Sequence, residues 1–136
     1  MGKGTLRRVR LRTLIAFATL ALLAGCGGDA ASEKEVRGVV TAFGEASAKK
    51  DYQRICDDLL ARSLVDNVEQ YGLPCEIALK EGLGTVQAPR LTIGAVTVQG
   101  DRASARVKTT AKSQFSSTDT LKLRRVDDQW RIAALG

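Results

Sequence analysis

Histidine is absent from the 136 residues, aromatic side chains make up 4% of them, and there are two prolines and one methionine. Without imidazole, a serine-histidine-acid triad and a histidine-bearing zinc site are excluded. No G-x-x-x-x-G-K-[ST] or G-x-G-x-x-G run occurs, so neither a phosphate loop nor a dinucleotide fingerprint is present. No metal ligand set and no cofactor is implied. The length suits one small domain with a modest core and leaves no room for a second.

Acidic residues are missing from the first 25 positions, where Lys3, Arg7, Arg8, Arg10 and Arg12 stand alone. This start accounts for most of the formal charge of +6, since the remainder carries 16 basic and 15 acidic groups. The anatomy is that of a secretory signal over residues 1–25: a basic region, an apolar run from Leu14 to Leu23, then small residues. Ten helical residues rise about 15 Å, half of a ~30 Å hydrocarbon core, so the run is too short for a permanent span.

The stretch Leu23-Ala24-Gly25-Cys26 resembles the bacterial lipobox, whose cysteine receives a diacylglyceryl group and becomes residue one after cleavage. The alternative is ordinary cleavage near Ala24-Gly25 that leaves Cys26 free. Two fatty chains would give the stable attachment that one lacks. Arg7-Arg8 also resembles a twin-arginine signal, but Arg10 stands where that signal prefers an aromatic, which favours general secretion. The expected location is extracytoplasmic, anchored to the outer face of the bacterial cell membrane. Export, a near-neutral mature charge and the lack of aromatics among the basic residues argue against nucleic acid as a partner.

With Cys26 lipidated, Cys56 and Cys75 form an even pair in a disulfide-permissive chain. Their bridge would close a loop of about 20 residues, worth around 3 kcal/mol in the chain-entropy model. A redox or metal pair is the alternative, without C-x-x-C spacing or further ligands to support it.

Residues 26–32 read as the lipidated cysteine with a short linker, and 33–136 as the domain. Ser32-Glu33-Lys34-Glu35 matches a capping box, opening a helix with Val36, Val39, Val40 and Phe43 on one stripe and ending near Lys49-Lys50. Asp51 caps a second helix in which Tyr52, Ile55, Cys56 and Leu59 share a face. Further helix is expected over 63–71 and 74–80. From Arg90 the period becomes two. Strand one, about Leu91 to Val98, switches parity in a way that a bulge at Gly94-Ala95 repairs. After a Gly100-Asp101 turn, Ala103, Ala105, Val107, Thr109 and Ala111 alternate with polar residues. Leu121 and Leu123 of strand three are set opposite Ala111 and Thr109 across a short loop at Phe115-Ser116-Ser117. Trp130, Ile132 and Ala134 of strand four complete the inner face.

Helices followed by a meander give an α+β fold, with N-terminal helices packed on a curved four-stranded antiparallel sheet. The first helical stretch, VRGVVTAFGEASAKKDYQRICDDLL, and the closing hairpin, LKLRRVDDQWRIAAL, resemble the nuclear transport factor 2-like superfamily, in particular its small actinobacterial lipoproteins with a cysteine pair in the helical half. The resemblance implies a cone-shaped domain. Enzymes of that superfamily place Asp, His, Tyr or Arg inside the cone, whereas no carboxylate or tyrosine falls on this sheet's inward positions. General acid-base chemistry therefore lacks a proton carrier there. The expected function is a non-catalytic ligand- or partner-binding domain. The alternative is a small cofactor-free isomerase or dehydratase using a helix-borne group, for which Asp57, Asp58 and Tyr52 are the candidates.

Small inward residues on strand two either let helices approach closely or leave a pocket for an apolar small molecule. Arg125, of inward parity beside Trp130, would cap such a pocket through a cation-π contact. On the outer face, a register in which strand-two and strand-three numbers sum to 232 places Lys108 opposite Arg124, and a Asp127-Asp128 hairpin places Arg124 opposite Arg131. Arg106, Lys108, Lys122, Arg124 and Arg131 then form a candidate surface for anionic lipid headgroups or an acidic protein partner.

Overall fold

The computed structural model describes residues 27–136. Helix α1 spans Gly27–Lys49, α2 spans Tyr52–Arg54, a π turn follows at Ile55–Leu59, and α3 and α4 span Arg62–Glu69 and Cys75–Leu83. Strands β1 (Arg90–Gln99), β2 (Arg102–Thr110), β3 (Ser117–Val126) and β4 (Gln129–Leu135) form an antiparallel meander in sequence order. The α+β architecture agrees with the sequence.

Helix α1 starts five residues before the expected cap, so Ser32 lies inside it and the positions read as linker form its first turns. Glu33 and Glu35 serve as ion-pair partners instead, of Arg37 at 2.9 Å and of Arg125 at 3.2 Å. The helix packs its valine stripe downward: Val36, Val40 and Ala46 are fully buried. Asp51 caps α2 as expected, its carboxylate accepting from the Arg54 backbone N–H. The next turn widens to π, which no propensity signal announces. It buries Ile55, Cys56 and Leu59 together and then releases Leu60 into an extended conformation. Leu60 pairs in parallel with Ile132, and the Ala61 N–H donates to the Ile132 carbonyl at 2.7 Å, covering part of the β4 edge.

Cys56 and Cys75 are joined by a disulfide with Cα atoms 6.1 Å apart, both cysteines being buried. It links the π turn to the start of α4, as the cysteine count suggested.

The β1 bulge sits where parity required it, between Ile93 and Val96. The β2–β3 register does not match the expected one: Ala103 pairs with Leu123 and Ala105 with Leu121, so the numbers sum to 226, not 232. The connection from Ala111 to Ser116 lies outside both strands, where a three-residue turn was expected. The discrepancy is even, so every side chain keeps its face. Alternation determines parity, while the loop determines offset. Each leucine thereby faces an alanine, a large side chain filling the space above a small one. A second bulge, at the Lys122/Leu123 step, sets Ala134 opposite Lys122 on the outer parity and Leu135 opposite Leu121, which corrects the inward placement of Ala134. Trp130 and Ile132 are buried as expected.

Candidate functional site

Between the C-terminal half of α1 and the far ends of β1 and β2 lies a cleft of about 250 Å³. Phe43, Leu83, Val86 and Leu91 form its apolar walls, with Thr109 of β2 and Ala111 just after it at the side. These are the small inward positions for which close packing and a pocket were both open, and here they border a cavity. Helix α1 can pass close to β1 because Gly44 carries no side chain; a Cβ there would stand 3.1 Å from the Leu91 Cβ. Ser47, Arg90, Thr109, Thr110, Gln114 and Ser117 are its polar lining residues. Arg90 is the one ionisable lining residue among those described, and Gln114 stands at the rim. The Ser47 hydroxyl is buried and has no hydrogen-bond partner among the described residues, so it remains available as a donor and acceptor beside the cleft. Phe115, fully exposed on the β2–β3 connection, stands at the mouth.

The expected outward cations keep their face, and only the residue of β2 opposite Arg124 differs. Lys108 pairs with Thr118, and Arg102 takes its place opposite Arg124, which in turn faces Arg131 as the hairpin predicted. Arg106 faces Thr120 and Lys122 faces Ser104. The Arg131 guanidinium donates to the Asp57 carbonyl at 2.9 Å and to Gln129 Oε1 at 3.0 Å.

A family model described as "Putative lumazine-binding" matches residues 78–135, which contain most of the cleft lining. No curated protein matches the chain. Among solved structures, an NTF2-like protein of unknown function from Shewanella baltica OS155 superposes with a TM-score of 0.59 at 19% identity, covering 78% of this chain and 91% of that one. The Kfla4162 protein from Kribbella flavida gives 0.57 at 18% identity, over 79% and 90% of the two chains. A "putative dehydratase from the NTF2-like family" of Streptomyces avermitilis gives 0.58 at 16% identity, over 79% and 95%. The chain has the nuclear transport factor 2-like fold.

Within this NTF2-like frame, Arg125 and Trp130 do meet, the guanidinium carbon lying 5.7 Å from the ring centroid. They do not line the cleft, because its walls come from the opposite end of the sheet. Arg125 instead ties β3 to Glu35 of α1. Asp57 and Asp58 are exposed on the π turn, outside the cleft. Tyr52 turns its hydroxyl inward, where it is buried without a partner among the described residues, yet it too lies off the cleft lining. Ser47, Arg90 and Gln114 escaped sequence reasoning. An isolated serine on a helix and a glutamine in a loop carry no spacing signal, and only the approach of α1 to β1 brings them together. Cys26 and the signal segment lie outside the described residues; among those described, no helix is long and apolar enough to cross a membrane.

Proposed function

We propose that the chain is a membrane-anchored extracytoplasmic lipoprotein whose NTF2-like domain binds a small, flat heteroaromatic ligand in the 250 Å³ cleft and does not transform it. The observation that carries the reading is the composition of that lining: aliphatic and aromatic walls, a few neutral hydrogen-bonding groups and a single arginine. Such a surface recognises a ring by its faces and its polar edge but offers no carboxylate, imidazole or tyrosine to move a proton. The volume lies below the ~300–1,000 Å³ typical of drug-sized ligands, which suits a compact molecule. The family match points to the heteroaromatic class that includes lumazine, apolar on its faces and hydrogen-bonding at its rim. Ser47 and Gln114 supply groups for that rim, and Phe43 an aromatic wall. Anchoring is supported by the lipobox at Leu23-Ala24-Gly25-Cys26.

Titration of the purified chain with lumazine, followed by ligand fluorescence, is the test. Saturable binding is expected, weakened at least about tenfold by Ala111→Trp, which fills the cleft, and unchanged by Thr118→Ala on the outer face. A chain that shows no saturation, or whose binding is indifferent to Ala111→Trp, would overturn the assignment of the cleft.

A further inference from the structure

The outer face of the sheet carries cations from three strands and no carboxylate. Outward positions of β2 and β3 are Arg102, Ser104, Arg106, Lys108, Thr118, Thr120, Lys122 and Arg124, while Asp119 falls on the inner parity opposite Val107. Arg102, Arg124 and Arg131 stand in register across three strands. Like charges placed directly opposite one another on a sheet face repel, so the row weakens the isolated domain. Little on the protein offsets it. Lys122 and Arg124 have no ion pair among the described residues, and Arg102 only reaches Asp101 at 4.0 Å with both side chains exposed.

The cations also surround a concavity. A depression of about 460 Å³ has small residues at its floor, Ser104, Ala133 and Ala134, and Arg102, Lys122 and Arg124 at its rim. The β4 bulge at the Lys122/Leu123 step is what brings two consecutive alanines to this floor. Long cationic side chains around a low neutral floor with a hydroxyl form a receptor for a tetrahedral anion.

Its place in the molecule matters. Arg37 of α1 donates to the Gly94 carbonyl, and Gly44 lies against Leu91. Seven helical residues and three strand residues each cover about 10 Å, so α1 runs along β1 and its direction can be followed further. Another ten residues, about 15 Å, bring Gly27 level with the Gly100-Asp101 turn, the end of the sheet that holds the depression. Asp101, Asp127 and Asp128 lie at this end too, but in the turns, so an anionic surface is met by the sheet face and not by its tip.

We propose that this face docks onto the phosphate headgroups of an anionic lipid bilayer, with the depression at Arg102, Lys122 and Arg124 taking one headgroup; the proposal rests on the anchoring read from Cys26, independently of the cleft. Membrane charge complements the face, and the described chain begins at Gly27, at the docking end of the sheet on its helical side.

The lipidated full chain, reconstituted in vesicles containing lipids with a nitroxide headgroup, provides the test. A fluorophore is attached at Thr97→Cys beside the depression or, as a reference, at Glu81→Cys on α4. Flotation with either type of vesicle reports the anchor separately. On vesicles containing phosphatidylglycerol, quenching at position 97 is expected to exceed that on pure phosphatidylcholine by about threefold and to lose this excess in high salt, with position 81 unchanged. Arg102→Gln with Arg124→Gln should abolish the excess, whereas Arg102→Lys with Arg124→Lys should retain it. Equal quenching on the two membranes in an anchored chain, or an excess indifferent to the glutamine pair, would overturn the docking.

Discussion

Asp127 and Asp128 adopt φ of 48° and 60°, the left-handed pair that a two-residue turn between twisted strands requires. Aspartate tolerates this region better than most residues, but glycine does so without steric cost, and an Asp-Gly pair suits the turn better than Asp-Asp. Asp128→Gly should therefore stabilise the domain by about 1 kcal/mol, raising Tm by about 4–8 °C on thermal unfolding. An unchanged or lower Tm would mean that the Asp128 side chain makes a compensating interaction. The same turn explains why one register was legible and another was not. Two residues leave no slack, so Arg124 opposite Arg131 could be read from the sequence. The connection after Thr110 contains Lys112, Ser113, Gln114 and Phe115 with no glycine to mark its type, and Ser113 takes a positive φ of 61° unannounced. Its length, and with it the partner of Arg124 on β2, had to come from the structure.

Among the elements, the helical layer depends on its staple more than on propensity. Helix α2 has three residues, α3 eight and α4 nine, all below the length at which a helix holds alone in water. The Cys56–Cys75 bridge closes a separation of 19 residues across this region. Cys56→Ala is expected to cost about 2–5 kcal/mol, read as a lower urea midpoint with a somewhat steeper slope, because the unbridged unfolded chain exposes more surface. Two free thiols in chain recovered from an oxidising medium would contradict the pairing. Helices α1, α2 and α4 were legible because apolar spacing, Asp51 and Pro74 each mark one. The π turn was not, since the widening follows from burying Ile55, Cys56 and Leu59 at once while directing Leu60 toward β4, a tertiary demand without local signature. For the cleft, the small residues of β2 were readable and its polar groups were not, because those come from three separate elements.

The whole molecule is electrically polarised: residues 26–82 carry a net −4 and residues 83–136 a net +5. Helices hold the negative side and the sheet the positive one, so the sheet is the side that an anionic surface attracts. The tether itself is open to a direct measurement. Cys26→Ser should abolish labelling by a clickable fatty acid and block maturation, while label persisting on the serine variant would remove the lipoprotein reading.

A four-stranded open sheet has two free margins along which a second chain could add a strand, the usual first step toward aggregates. Here the margins are not alike. Along β4 the main chain of Leu60 and Ala61 already occupies part of the bonding row. Along β1 the bulge at Gly94 and Ala95 breaks the regular spacing, and Arg37 engages the Gly94 carbonyl with a charged group. Copies of the chain are thus discouraged from joining through their backbones, at β4 by the chain's own main chain and at β1 by a bulge and one charged side chain.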